Sequence, residues 1–296
     1  MPWVAASLVS AVFLGIYQLI TKHAVRGNAV LPVLFFSNVC GASVWISLRI
    51  VNVVRPGWLP PALVADPLSL HGHVLLIAKS ALVSASWLCS YFAVKHLPVS
   101  IAAPIRATGP VWTLFGALLV LGERPSGLEL VGMATTLVSF FGLSLAGGAE
   151  GIHFHRNKWV AWLMAGTVLG ALSALYDKHL LGAAGFTTAT VQCWFTIYLA
   201  VLMLPFAIGW RLRDGTGFQW RWSVPMLAFA LLVADFIYFS ALRDPDALVS
   251  IVSSLRRGST LVAFAGGILF FGEKNFRKKL PAVLGVVTGI VLTVLG

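Results

Sequence analysis

Charge is scarce in this sequence. Asp, Glu, Lys and Arg make up 10% of its 296 residues, whereas a soluble domain carries about a quarter. Acids are the rarest, 10 against 21 Lys plus Arg. Such a shortage excludes an ordinary water-facing surface. Cysteine is scarce too: Cys40, Cys89 and Cys193 each lie inside an apolar run without CxxC spacing, so neither a disulfide framework nor a zinc site is expected. A phosphate-cradling glycine loop, a HExxH helix and a GxSxG elbow are all missing, so an enzyme of the soluble type has no motif to rest on. His153 and His155 form an HxH in a short loop with no third ligand nearby. No metal and no cofactor are assigned.

Hydrophobicity is what the chain has in plenty, at 58% of residues with a mean hydropathy of +0.89. A helix needs about 20 apolar residues to cross a bilayer, and with its loop a span uses roughly 28–30 residues, which leaves room for about ten spans. The net charge of +11 would suggest nucleic acid in a soluble protein. Here the basic residues fall between apolar runs and read as topology signals, so the partner is the lipid bilayer and no nucleic acid is expected.

Apolar runs punctuated by charge, Pro and Gly place spans at 3–22, 30–53, 73–94, 99–121, 127–147, 159–181, 187–209, 222–242, 247–271 and 279–295. The first run reads as a span and not a signal peptide, because no basic segment precedes it. Trp3, Trp58, Trp159, Trp210, Trp220 and Trp222 fall at expected span ends, where an indole favours the headgroup region. Lys and Arg gather on the connections after odd-numbered spans, among them Lys22, Arg26, Arg211, Arg213, Lys274 and Lys278, which by the positive-inside rule makes that side cytoplasmic.

Sliding the chain against itself by 150 residues brings Ser100–Glu123 onto Ser250–Glu273 without a gap. The pairs Ser100/Ser250, Ile101/Ile251, Arg106/Arg256, Gly116/Gly266, Leu119/Leu269, Gly122/Gly272 and Glu123/Glu273 are identical. Apolar composition explains the Ile and Leu matches but not an Arg seven residues into a span and a Gly-Glu at its end in both copies. The expected fold is therefore an all-α membrane protein of ten transmembrane helices, built as two five-helix repeats over residues 1–148 and 149–296. Five is odd, so the second copy enters the membrane inverted. Inverted repeats place a binding site near the midplane between the halves. The alternative is duplication that merely builds a stable bundle.

Ionisable groups inside spans cost roughly 2.5–3.5 kcal/mol each on insertion scales and are functional candidates by default. They are Lys79, Arg106, Asp235, Arg256 and Arg257. Inversion brings the repeat-related arginines toward one central layer, where guanidinium groups suit a carboxylate or phosphate. Adjacent Arg256 and Arg257 point about 100° apart on a helix, so one acid could hardly neutralise both; single arginines could equally cap carbonyls or pair with an acid. Lys79 and Asp235 sit at similar depths and are expected to form an intramembrane ion pair, as structural glue or as a gate. Asp235 is the one acid read as lying well inside a span, hence the one proton carrier. Tyr17, Gln18, Tyr91, Tyr238 and Ser253 are candidates to line a substrate cavity, with Asn38, Gln192, Ser250 and Ser254 beside them; each could instead serve a helix-to-helix hydrogen bond. Gly285 and Gly289 form a GxxxG in the last span, for packing within the monomer or for a homodimer seam.

With Gly122-Glu123 and Gly272-Glu273 each closing a Gly-rich fourth span, followed by a Gly-containing fifth, the chain resembles the EamA-type members of the drug/metabolite transporter superfamily. The resemblance implies ten helices with an inverted pseudo-twofold axis. It also implies a central cavity lined by the first, third and fourth spans of each half, peripheral fifth and tenth spans, and cytoplasmic termini, the reverse of the charge count. It further implies export of amino acids, drugs and other metabolites, or exchange of nucleotide sugars and sugar phosphates. Leu255-Arg256-Arg257 followed by Gly258-Ser259-Thr260 is similar to the Lys-Arg segment of triose-phosphate translocators, which implies anion ligation by Arg256 and Arg257. Arg stands in place of Lys, and the rest of that phosphate site has no counterpart, so the cargo expected is a small anion or zwitterion. The function expected is secondary, alternating-access transport in the cell (inner) membrane, as exporter or exchanger. Alternatives are proton-coupled export of amino acids or cationic drugs through Asp235, and a non-transporting membrane enzyme or complex subunit.

Overall fold

The computed structural model describes residues 2–97, 102, 105–106, 108–145, 157–213, 217–271 and 276–296. Among them the chain is helical, with no strand. The helices are α1 (Pro2–Val25), α2 (Val30–Val54), α3 (Leu70–His96), α4 (Gly109–Gly116), α5 (Gly127–Leu145), α6 (Lys158–Leu181), α7 (Thr188–Arg213), α8 (Ser223–Leu242), α9 (Val249–Leu255), α10 (Ser259–Phe271) and α11 (Phe276–Leu295). α4 runs on into a π-helical turn at Ala117–Leu121, and α9 meets α10 through a 3-10 turn at Arg256–Gly258.

Six of the helices, α1, α2, α3, α6, α7 and α8, are long and apolar enough to cross a bilayer. Lipid offers no partner for a bare N–H or C=O, and helices satisfy their own backbone. The chain is thus a multi-pass integral membrane protein.

Helix ends follow local chemistry. Ser69 Oγ accepts the Gly72 N–H at 3.2 Å to start α3, and Asn157 Oδ1 accepts the Trp159 N–H at 2.9 Å to start α6. Ser126 and Glu129 form a reciprocal capping box ahead of α5. Gly122, at φ 65°, ends the fourth span in a left-handed turn that a side chain would strain. Segmentation from sequence matches these bounds closely, with two differences. Part of the expected fourth span, at 99–101, 103–104 and 107, lies outside the described residues, as do His153, His155, Gly272 and Glu273. The ninth span is broken at Arg256–Gly258, where the sequence reads as one apolar run. Trp3, at the start of α1, is buried at 6% exposure, while Trp58, Trp220 and Trp222 are exposed.

α1 packs on α8, α3 on α6, α2 on α7, α5 on α11, α4 on α6 and α10 on α1; α2 also touches α8, and α3 touches α7. Small residues make these approaches close, as is usual where lipid removes the hydrophobic drive. A Cβ on Gly285 or Gly289 would meet Ser139 or Thr136 of α5, so the GxxxG is spent inside the monomer. The broad outer faces carry exposed Val, Leu, Ile and Phe, suited to lipid.

Candidate functional site

The break in the ninth span puts two consecutive arginines on a 3-10 turn between two half-helices. Arg256 Nη2 donates to Asp235 Oδ1 on α8 at 2.9 Å, and its guanidinium carbon lies 4.0 Å from the centre of the Tyr238 ring. That ring stacks as a cation–π neighbour. Arg256 Nε finds no partner among the described residues, so one edge of the guanidinium is unused.

Arg257 packs against Gly109 at the start of α4, where a Cβ would collide with its Nη2. The charges of Arg256 and Arg106 both act on it. No carboxylate lies in ion-pair range of Arg257 among the described residues. Arg106 itself is exposed. The three arginines named from sequence are therefore neighbours, and one of them has an acid partner.

Lys79 requires a correction. It pairs with Asp177 of α6, Nζ to Oδ1 at 2.6 Å, and not with Asp235. It approaches that oxygen off the line of a hydrogen bond while donating to Ser173 Oγ at 2.6 Å. The rings of Phe195 and Phe239 lie 5.1 and 5.9 Å away. The reason is packing: α3 lies along α6, whereas α8 lies along α1 and α2. Asp177, 3% exposed, is a second buried acid in a span, near its end, so Asp235 is not alone. Tyr238 joins the two pairs, donating its OH to Asp177 Oδ2 at 3.4 Å while its face meets Arg256.

The remaining candidates divide. Gln18 Nε2 donates to Ser259 Oγ at 3.3 Å and Ser253 Oγ to Thr113 Oγ1 at 3.5 Å, so both sit on seams next to the break. Tyr17 packs with Ala24, Val33 and Val224. The side chain of Tyr91 lies outside the described residues. Asn38 and Gln192 line a cavity with Asp235 among α2, α7 and α8.

The sequence signature of the EamA-like transporter family matches residues 1–145. The chain's first half belongs to that family. EamA-like proteins form part of the drug/metabolite transporter superfamily, and the match over residues 1–145 points to a membrane transporter of that type. The fold superposes on a crystal structure of another protein with a TM-score of 0.76 and 14% identity, over 99% of this chain and 97% of that one; at that identity the likeness speaks for fold alone. No curated protein matches the chain.

Proposed function

We propose that this EamA-like protein is a ten-span secondary transporter of the cell (inner) membrane, built from inverted repeats at 1–148 and 149–296, that exports or exchanges a small anionic or zwitterionic metabolite by alternating access. The helix packing supports the repeat. Exchanging α1 with α6, α2 with α7, α3 with α8 and α4 with the α9–α10 pair turns the α1–α8 contact into α6–α3, α2–α8 into α7–α3 and α4–α6 into α10–α1, and it leaves α2–α7 and α5–α11 unchanged. Each half's first span thus grips the other half's third. Such an arrangement can rock about a site between the halves.

The observation that carries the anion is Arg257, held against Gly109 beside two further guanidinium charges and without a carboxylate in range among the described residues. A half-buried cation among like charges is costly without a counter-charge, and a substrate carboxylate or phosphate would supply it. Arg256 is the exchangeable partner: it rests on Asp235 and offers its unused Nε edge to the substrate, with Arg106 reinforcing the field. Gln18 and Ser253, on the seams beside the break, and Tyr238, against Arg256, serve as orienting groups, with Tyr17 and Tyr91 assigned the same role from the sequence alone. Lys79 and Asp177 form the fixed pair beneath it, and Asp235–Arg256 is the gate. A purely cationic cargo would have nothing with which to draw Arg256 off Asp235.

The test is a thermal-shift screen of purified protein against matched anionic and cationic metabolites. Anions should raise the melting temperature and cations should not. Stabilisation confined to cations would contradict the assignment, and no response to either class would favour a non-transporting role.

A further inference from the structure

Between α2, α7 and α8 lies a cavity of about 20 Å³ lined by Ser37, Asn38, Gln192, Thr196 and Asp235 with apolar neighbours. That is room for one water-sized guest. Its polar lining is one-sided. Ser37 Oγ donates to Leu34 O at 2.9 Å and Thr196 Oγ1 to Gln192 O at 2.6 Å, so both hydroxyl protons are spent on helix carbonyls. The amide nitrogens of Asn38 and Gln192 each give one N–H to a helix carbonyl, Leu34 O at 3.0 Å and Leu232 O at 2.6 Å, and this fixes which amide atom is the oxygen. Gln192 is 1% exposed, and its Oε1 has no hydrogen-bond partner among the described residues. The unpartnered Gln192 Oε1 and one carboxylate, beside further hydroxyl and amide oxygens, favour a guest that supplies positive charge.

One carboxylate among neutral oxygens suits a monovalent cation. Calcium takes six to eight oxygens and usually several carboxylates, and transition metals favour imidazole or thiolate. Two cations touch residues of the lining, Arg256 through its ion pair with Asp235 and Lys79 through the Phe195 ring. Lys79 is neutralised by Asp177. Arg256 is the obstacle while it rests on Asp235.

We infer that this cavity is the site of a coupling sodium ion, taken up by Asp235, Gln192 Oε1, Asn38 Oδ1 and Thr196 Oγ1 when an anionic substrate draws Arg256 away. The inference rests on the anion reading proposed above. Substrate removes the guanidinium that blocks the cation and leaves Asp235 bare in a low dielectric; sodium then restores the charge. Each ligand accordingly raises the other's affinity by the same factor, so the two cross together, in the direction set by the larger of their two gradients.

The test is the melting temperature of the purified full chain titrated with sodium chloride against choline chloride at constant ionic strength, with and without the best anionic metabolite from the screen. Sodium should give a saturable rise of roughly 2–4 °C, larger with the anion present. Thr196→Val, nearly isosteric, and Gln192→Met should remove the sodium response while the anion response in choline persists; Thr196→Val guards against a folding defect in the other variant. Equal curves in sodium and choline, or an undiminished sodium response in both variants, would overturn the sodium site and leave the anion reading standing. A sodium response with no anion effect in either salt would overturn the coupling and the anion reading together.

Discussion

Glu123, which closes the fourth span, reaches across to the start of the ninth and meets Ser250. Its Oε2 accepts the Ser250 hydroxyl at 2.6 Å and the Ser250 N–H at 3.2 Å, while Oε1 accepts the Val249 N–H at 2.6 Å. A carboxylate from the first half thereby caps an α-helix of the second, where the N-terminal amides and their dipole favour negative charge. At 8% exposure the cap is screened from solvent. One copy of the repeated Gly-Glu therefore acts as a tie between the halves.

Glu123→Gln should weaken this tie by about 1–2 kcal/mol, because a charged cap is exchanged for a neutral one. Ser250→Ala should cost less, and the double variant should show coupling in a mutant cycle of thermal stability. Additive losses would mean that the two groups act separately.

Lys79→Met should destabilise the protein by about 3–5 kcal/mol, since it strands Asp177 as an unpaired buried carboxylate. The double variant Lys79→Met with Asp177→Leu should recover much of the loss, because an apolar pair in the same space removes both desolvation costs. Unfolding in a denaturing detergent titration would rank the three proteins. A double variant less stable than Lys79→Met would contradict the pairing.

Gly109→Ala adds one methyl where the Arg257 guanidinium lies. Stabilisation by anionic metabolites should drop at least several-fold while the protein still folds. Gly142→Ala, which meets no atom within 4 Å, should change nothing. Equal behaviour of the two would show that Arg257 is not held for binding.

Gly289→Ala would press on Thr136 and on the Gly132 carbonyl, with a cost of roughly 1–3 kcal/mol from overpacking. Because that seam is internal, size-exclusion profiles in detergent should show the same oligomeric state as the parent. A change of state would reassign the GxxxG to a dimer interface.

Much of the fold was legible because lipid imposes one length scale: apolar runs had to be helices, and their bounds followed from charge and Gly. Residue depth was legible as well, which is why Lys79, Asp235 and the arginines stood out. Neighbourhood was not. Depth along separate helices does not tell which helices touch, so depth alone points Lys79 to Asp235, whereas α3 lies on α6. Asp177 escaped notice because it precedes Lys178 and His179 near a span end and reads as interfacial. Yet Lys178 bonds the carbonyls of Leu242 and Asp244 at 3.2 and 2.8 Å, which closes that end and buries the acid. Glu123 was visible only as half of a repeated Gly-Glu; its capping role needs a contact 126–127 residues away in the chain.

The central claim, that Arg257 holds an anionic substrate while Arg256 alternates between it and Asp235, is tested most directly by uptake into proteoliposomes. The parent should take up the anionic metabolite found in the screen. Arg257→Ala should lose transport outright, and Arg256→Ala should lose it by at least an order of magnitude. Full anion transport by both variants would contradict the account.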